Sequence, residues 1–204
     1  MNAFVFNDIG EIETFIKIND NCYFGTNKGN SKWNTDTYKL ECNIKELDSN
    51  IFDDFSLDGA FSITWSVYAY KELDNFVVTT KLNPMVKVEF DNDSGENRDG
   101  IYITKGRFHL AIGTEDTDCL FNRAMHEDNI PKRLSKWFEC DENSTCKSSS
   151  WTKDNLGLEI AIPNLLKGES IAIKFGVAWK SDVDKEWEFY VSLGSEIWIK
   201  LHYT

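Results

Sequence analysis

The chain of 204 residues contains only three prolines and no apolar run that approaches the 18 or more residues of a membrane-spanning helix. The scarcity of proline excludes a proline-rich linker, and the short apolar runs predict no membrane span. Hydrophobic residues still make up 41% of the chain and aromatic residues 14%, which is too rich for disorder. A chain of this length can bury a core without disulfides, and we predict one domain over residues 1–204.

Basic residues are fewer than acidic residues: the chain has 22 Lys and Arg and 34 Asp and Glu, which gives a net charge of −12. Contacts with nucleic acid phosphates need a basic face, and so does binding to an anionic membrane surface. The charge balance therefore predicts neither kind of partner. An acidic surface would instead steer the chain towards a basic partner protein.

The first residues lack the basic and apolar segments of a secretory leader. We therefore expect a cytoplasmic protein if Met1 is the native start, and a secreted one if the natural chain begins further upstream. The five cysteines are an odd number, which favours reduced thiols. In an oxidising compartment, Cys140 and Cys146 could close a short disulfide loop.

Signatures of catalysis are missing as well. The three histidines, His109, His126 and His202, are not at metal-binding spacings, and no nucleophile elbow, phosphate loop or paired-cysteine motif occurs. We therefore name no catalytic residue and leave open whether the protein is an enzyme. A glycoside hydrolase needs only two carboxylates across a cleft, and Glu186 and Glu188 share one strand face.

What the sequence does contain is a repeated alternation of apolar and polar residues, which is clearest at Phe61–Tyr70. Such alternation is typical of strands with one buried face. Since no strand–helix–strand spacing occurs, we predict an all-β fold, an antiparallel two-sheet sandwich of jelly-roll type. Residues 117–140 depart from the alternation and predict a small helical insertion. This insertion either plugs one end of the sandwich or acts as a lid or partner-binding segment.

Alternation also assigns several aromatic side chains to polar faces, and two more fall in polar stretches that we interpret as loops. Exposed aromatic rings beside polar side chains stack on sugars or anchor protein partners. We therefore predict a ligand-binding surface formed by these aromatic residues: Tyr68, Tyr70, Tyr190, Trp198, Trp33 and Trp151. The alternative is that the helical insertion or another subunit covers the second face of these strands.

The segment Asp91–Asp99 has the densest cluster of acidic residues in the chain. Closely spaced carboxylate and amide oxygens are ligands for Ca²⁺, so Asp91, Asp93 and Asp99 are candidate metal ligands. The segment lacks the spacing of a helix–loop–helix calcium loop and also fits a solvated turn between strands. The cofactor prediction is therefore either none or Ca²⁺.

Three segments carry a resemblance to a known family. Trp151–Pro163 contains the strand Glu-Ile-Ala-Ile-Pro, Gly168–Trp179 begins a strand after Gly-Glu-Ser-Ile, and Met85–Asn92 joins a strand to an acidic loop. These segments resemble DOMON-like sandwiches, and in particular family-9 carbohydrate-binding modules. The resemblance implies a β-sandwich that binds sugars between aromatic side chains. Related domains bind haem, but no Met/His pair here matches the haem ligands. The chain departs from the family in lacking a leader and in its insertion over residues 117–150.

Our leading hypothesis is a non-catalytic binding module that presents exposed aromatic residues to a carbohydrate. The first alternative is an acidic intracellular interaction or inhibitor protein, of a phage or host-defence type, that docks on a basic partner surface. The second alternative is a sandwich-fold glycoside hydrolase.

Overall fold

A computed structural model describes residues 3–183, apart from residues 27, 49, 53–54, 96–97, 128 and 140–148. Several residues from the sequence analysis therefore lie outside the described residues: Cys140, Cys146, Glu186, Glu188, Tyr190, Trp198 and His202.

Strands dominate the described part of the chain and are interrupted by two short α-helices and one 3-10 turn. In chain order the elements are β1 (Val5–Asn7), β2 (Gly10–Ile18), β3 (Asn21–Phe24), β4 (Gly29–Asn34), β5 (Tyr38–Glu46), β6 (Asn50–Phe52), β7 (Phe55–Ser56), β8 (Gly59–Ala69), β9 (Phe76–Pro84), β10 (Glu89–Gly95), β11 (Arg98–Lys105), β12 (Phe108–Glu115), α1 (Thr117–His126), the 3-10 turn (Lys132–Leu134), α2 (Ser135–Phe138), β13 (Ser149–Trp151), β14 (Gly157–Ile162) and β15 (Ser170–Lys180). None of the helices among these elements is long and apolar enough to cross a membrane.

The strands form two antiparallel sheets that share one hydrophobic core. The six-stranded sheet has the order β1–β2–β9–β14–β13, and β3 also pairs with β2. The seven-stranded sheet has the order β10–β11–β12–β15–β8–β5–β4, and β6 and β7 form a separate hairpin. This architecture confirms the predicted all-β, antiparallel two-sheet sandwich with a small helical insertion.

Strand β8 shows how the alternating sequence produces the core. Phe61, Ile63 and Trp65 are at most 2% exposed and point towards the six-stranded sheet. Burial of each such side chain stabilises the fold by about 1.5–3 kcal/mol. On the other face, accessibility rises along the strand from the buried Ser62 to the exposed Tyr68. The far end of β8 is therefore the part of this strand where an aromatic ring faces solvent.

Trp65 links the two sheets through a hydrogen bond inside the core. Its indole Nε1 donates to Oγ1 of Thr14 on β2 at 2.8 Å, and Thr80 Oγ1 donates to the same oxygen at 3.0 Å. A buried indole N–H needs an acceptor, which explains why threonines occur among the apolar residues of β2 and β9.

The helical insertion packs against both sheets. Asp116 caps α1 by accepting a hydrogen bond from the Cys119 amide at 2.8 Å. Leu120 of α1 and Phe138 of α2 are fully buried in the shared core. The indole of Trp137 donates to the backbone oxygen of Ala161 on β14 at 3.0 Å. This packing supports the interpretation of the insertion as a plug at one end of the sandwich.

A buried ion pair fixes α1 to the seven-stranded sheet. Arg123 is 3% exposed, and its Nη1 donates to both carboxylate oxygens of the fully buried Glu115 at 2.5 Å. Its Nη2 donates to Asn129 Oδ1 at 2.8 Å and to the Ala172 oxygen at 3.1 Å. Its Nε donates to Glu127 Oε2 at 3.2 Å. Each of the three guanidinium nitrogens thus has at least one hydrogen-bond acceptor, as a buried charge requires.

Candidate functional site

Two of the predicted aromatic residues form a contact pair on the outer face of the seven-stranded sheet. Tyr68 is 42% exposed and Tyr70 is 37% exposed. Their ring centroids lie 5.4 Å apart, and the ring planes are inclined by 67°. This edge-to-face arrangement is a favourable geometry for two aromatic rings and leaves part of each ring open to solvent.

Polar side chains from the neighbouring strands flank the pair. Tyr68 is paired across the sheet with Lys39 of β5 on one side and with Ser170 of β15 on the other. Lys39 Nζ lies 2.6 Å from Oε1 of Glu41, which is two residues along the same face. We call the surface formed by Tyr68, Tyr70, Lys39, Glu41 and Ser170 the tyrosine face.

The charges of the tyrosine face are fixed by mutual contact. The hydrogen bond and charge of Glu41, with a smaller contribution from Tyr70, raise the pKa of Lys39 above its usual value. The hydrogen bond from Lys39 in turn lowers the pKa of Glu41, and Lys32, 3.5 Å away, lowers it further. Near neutral pH, Lys39 therefore donates hydrogen bonds and Glu41 accepts them, so Glu41 is poorly suited to act as a general acid.

Hydrogen bonds to two neighbouring segments constrain the backbone that carries the two tyrosines. The amide of Tyr70 donates to the Thr37 oxygen at 2.8 Å, and the amide of Ala69 donates to the Glu169 oxygen at 2.9 Å. Thr35 orders the turn that presents Thr37, because its Oγ1 accepts from the amide of Thr37 at 3.1 Å. A ligand on the tyrosine face would therefore meet rings on a constrained backbone.

Trp33 and Trp151 lie in strands β4 and β13, so their interpretation as loop residues is wrong. The Trp33 ring stacks on Trp65 with centroids 5.7 Å apart and planes inclined by 13°, on the opposite face of the sheet from Tyr68. The Trp151 indole donates to the Gly100 oxygen at 3.2 Å and thereby connects β13 with β11. Both indoles are half-buried and pack between the sheets, away from the tyrosine face.

The acidic segment forms the hairpin of β10 and β11. Asp91 pairs with Tyr102, Asp93 pairs with Gly100, and Asp99 pairs with Ser94. Asp91 and Asp99 therefore occupy opposite faces of the hairpin, because paired residues share a face and successive strand residues alternate in direction. Within the described residues, no group of three or more His, Cys, Asp and Glu side chains could hold a metal ion. Calcium binding stays a prediction.

Sequence reasoning missed the polar rim of the tyrosine face. Lys39 and Ser170 are 131 positions apart in the chain and meet only because β5, β8 and β15 are neighbours in the sheet. No signal in the sequence specified which strands pair.

Comparison with known proteins gives a fold relationship but no family. Neither a family model nor a curated protein sequence matches the chain. Among solved structures, the chain is similar to a putative kojibiose phosphorylase from human microbiome, with a TM-score of 0.51 and 9% sequence identity. The match covers 98% of this chain and 26% of that chain, so this chain spans about a quarter of the length of that protein. At this identity the likeness shows the fold alone. The resemblance to family-9 carbohydrate-binding modules stays a prediction.

Proposed function

We propose that the protein is a non-catalytic binding module and that its tyrosine face binds a carbohydrate. The observation that carries the proposal is the exposed, mutually contacting pair Tyr68–Tyr70, bordered by a cation, a carboxylate and a hydroxyl group. A sugar presents apolar C–H faces and a ring of hydroxyl groups. Aromatic rings suit the first, and hydrogen-bonding side chains at the rim suit the second.

The expected affinity follows from the small size of the face. A contact between two aromatic rings contributes about 0.5–1.5 kcal/mol beyond the area it buries, and we take the same range for a sugar ring on an exposed tyrosine. Two rings with two or three hydrogen bonds of about 1 kcal/mol each, together with the area they bury and less the cost of association, give an affinity in the millimolar range. The constrained backbone at Ala69 and Tyr70 supports this estimate, because little ordering is needed on binding.

Two further observations support a sugar as the ligand. The resemblance of Trp151–Pro163 and Gly168–Trp179 to family-9 carbohydrate-binding modules favours the same ligand class. The neighbour of similar fold is named for the sugar kojibiose. Because this chain spans only about a quarter of that neighbour, we carry over neither its activity nor its substrate.

A glycan array followed by calorimetry on the best glycan tests the proposal. We expect Tyr68→Ala and Tyr70→Ala each to weaken binding about tenfold or more, since each removes one stacking ring. Tyr68→Phe keeps the ring and should retain most of the affinity. Phe90→Ala is the matched control, because Phe90 is 46% exposed at the far edge of the same sheet.

Two results would contradict the proposal. One is that the unmodified protein binds no glycan on the array. The other is that Phe90→Ala weakens binding as much as the two tyrosine variants, which would place the ligand elsewhere. If the protein instead captures a basic protein in a salt-sensitive manner and binds no glycan, the docking alternative replaces the carbohydrate proposal.

A further inference from the structure

A polar cleft of about 260 Å³ lies on the outer face of the six-stranded sheet, on the other side of the sandwich from the tyrosine face. Phe15 and Thr79 form its floor, Lys81 and Glu159 border it, and residues 152–154 of the β13–β14 turn form a wall. This volume suits one small ligand, because it lies just below the range of pockets that hold drug-sized molecules.

The floor of the cleft and its border at Glu159 form one row of cross-strand neighbours from three strands. Phe15 of β2 pairs with Thr79 of β9, and Thr79 pairs with Glu159 of β14. Paired residues share a face of the sheet, so an aromatic ring, a hydroxyl and a carboxylate lie side by side. Phe24 of β3 extends the apolar end of the row, with its ring centroid 5.4 Å from that of Phe15.

The turn that forms the wall is held by internal hydrogen bonds. Thr152 Oγ1 donates to Asp154 Oδ1 at 2.5 Å, and the Thr152 amide donates to the Gly157 oxygen at 2.9 Å. Burial alone would raise the pKa of Asp154. The hydrogen bonds from Thr152 and Leu156 outweigh burial and lower the pKa, with a further contribution from Lys81. Asp154 is therefore a fixed carboxylate at neutral pH.

The other charged groups of the cleft are not committed to ion pairs. Within the described residues, neither Lys81 nor Lys153 has a carboxylate within 4.0 Å. Among the described residues, Glu159 accepts one long hydrogen bond, from the Ser150 hydroxyl at 3.4 Å. The groups around the cleft thus remain available to a ligand.

The mixture of charges favours a neutral ligand with many hydroxyl groups. Two ammonium and two carboxylate groups sum to zero, so an ion would be attracted by one pair and repelled by the other. A zwitterion would need one anionic and one cationic group in separate parts of the cleft. Here the charges are mixed, because Lys81 lowers the pKa of Asp154 and Lys153 is the residue next to Asp154 in the chain. A hydroxyl group both donates and accepts, so either kind of charge satisfies it.

We infer that this cleft is a second carbohydrate site, which holds one neutral sugar residue with a C–H face on Phe15 and hydroxyl groups on Glu159, Asp154 and Lys81. The choice of a sugar rests in part on the proposed function. The two sites share no residue, however, and lie on opposite outer faces, so each can fail alone. With two sites, the protein can engage two glycan chains or two segments of one chain, which adds avidity.

Chemical-shift mapping of backbone amides by NMR tests the inference directly. The probes are D-glucose, D-galactose, D-mannose and N-acetyl-D-glucosamine, each at about 20 mM, which is high enough to reveal millimolar binding. We expect at least one sugar to shift the amides of Thr79 and residues 152–156. The same shifts should persist in a Tyr68→Ala/Tyr70→Ala variant, which lacks the rings of the tyrosine face.

Charge-neutralising variants then identify the side chains involved. Glu159→Gln and Lys81→Gln should each weaken binding in the cleft about tenfold, because each converts a charge-assisted hydrogen bond into a neutral one. Glu11→Gln is the matched control, since Glu11 lies on the same outer face of β2 but does not line the cleft. The spectrum away from the cleft reports whether each variant stays folded.

Three outcomes would overturn the inference. The first is that no sugar shifts the cleft amides, and the second is that the sugar-induced shifts vanish in the double tyrosine variant. The third is that L-phenylalanine, a zwitterion used as a comparison probe, shifts the cleft amides while the sugars do not. Shifts at the cleft without shifts at Tyr68 and Tyr70 would uphold the second site, and the glycan array then decides the tyrosine face separately.

Discussion

Replacing Arg123 with methionine should remove the cation that accompanies the buried carboxylate of Glu115. The guanidinium and the carboxylate are 3% and 0% exposed, and the Nη1 nitrogen lies 2.5 Å from each carboxylate oxygen. Methionine fills much of the same space without charge. The variant therefore tests the electrostatic role of the pair more than its packing.

The expected loss of stability is about 3–5 kcal/mol, the usual cost of removing one partner from a buried ion pair. A protein of this kind has a total stability of about 5–15 kcal/mol, so the loss is a large fraction of it. With a urea m-value of about 2–3 kcal/mol/M, the midpoint of unfolding should fall by about 1–2.5 M. Added salt should change this loss little, because buried pairs are poorly screened.

A double-mutant cycle with Arg123→Met and Glu115→Leu, followed by urea unfolding and tryptophan fluorescence, measures the coupling. Because the double variant removes both charges, we expect it to be more stable than the sum of the single losses predicts, by about 2 kcal/mol or more. Lys71→Ala is a control, because it breaks the exposed Lys71–Asp36 pair and should lower the urea midpoint far less than Arg123→Met does. Additive losses, or a loss below about 1 kcal/mol for Arg123→Met, would refute the reasoning.

Three further predictions concern a hydrogen bond in the core, the ion pair between Arg133 and Glu169, and a close contact between two strands. Thr14→Val leaves the Trp65 indole N–H without its acceptor and should cost about 1–3 kcal/mol in urea unfolding. Burial opposes ionisation of Glu169, but hydrogen bonds from Arg133 at 2.8 and 2.5 Å leave its pKa below the ordinary 4.5. The stability that this contact provides is present above about pH 4.5 and is lost as the pH falls through the lower pKa of the folded state. Arg133→Gln removes the contact, so the urea midpoint of this variant should depend less on pH between about pH 5.5 and 3. Gly157→Ala places a Cβ 2.5 Å from a backbone oxygen of β9 and should lower the melting temperature by about 3–10 °C.

Each of these predictions has a contrary result. A Thr14→Val variant that unfolds within about 0.5 kcal/mol of the parent would show that the indole finds another partner. If the urea midpoint of Arg133→Gln falls with decreasing pH as much as that of the parent, the contact between Arg133 and Glu169 does not stabilise the fold. A Gly157→Ala variant as stable as the parent would show that β9 and β14 separate at little cost. Gly106→Ser serves as its control, because a Cβ at Gly106 has no neighbour within 4 Å, although its φ of +59° adds some strain.

The sequence predicted the sandwich and part of the candidate site for a local reason. In β8, side-chain direction reverses at every residue, so the buried Trp65 fixes the outward direction of Tyr68. The same logic failed for Trp33, whose polar neighbours in β4 suggested a loop. Among the described residues, β4 is the last strand of the seven-stranded sheet, and most of its polar residues are exposed while its one large ring stacks on Trp65. Composition alone does not separate a loop from an edge strand of this kind.

By itself, the sequence determined the period-two pattern, the antiparallel sandwich, the helical insertion and the outward direction of Tyr68. Only the tertiary structure decided which strands are neighbours. It therefore decided that Lys39 and Ser170 flank Tyr68, and that Phe15 and Glu159 meet across β9. The physical reason is that side-chain alternation is set within a few residues, whereas strand order depends on how distant segments bury their apolar faces together. Both candidate binding surfaces are built from such distant segments.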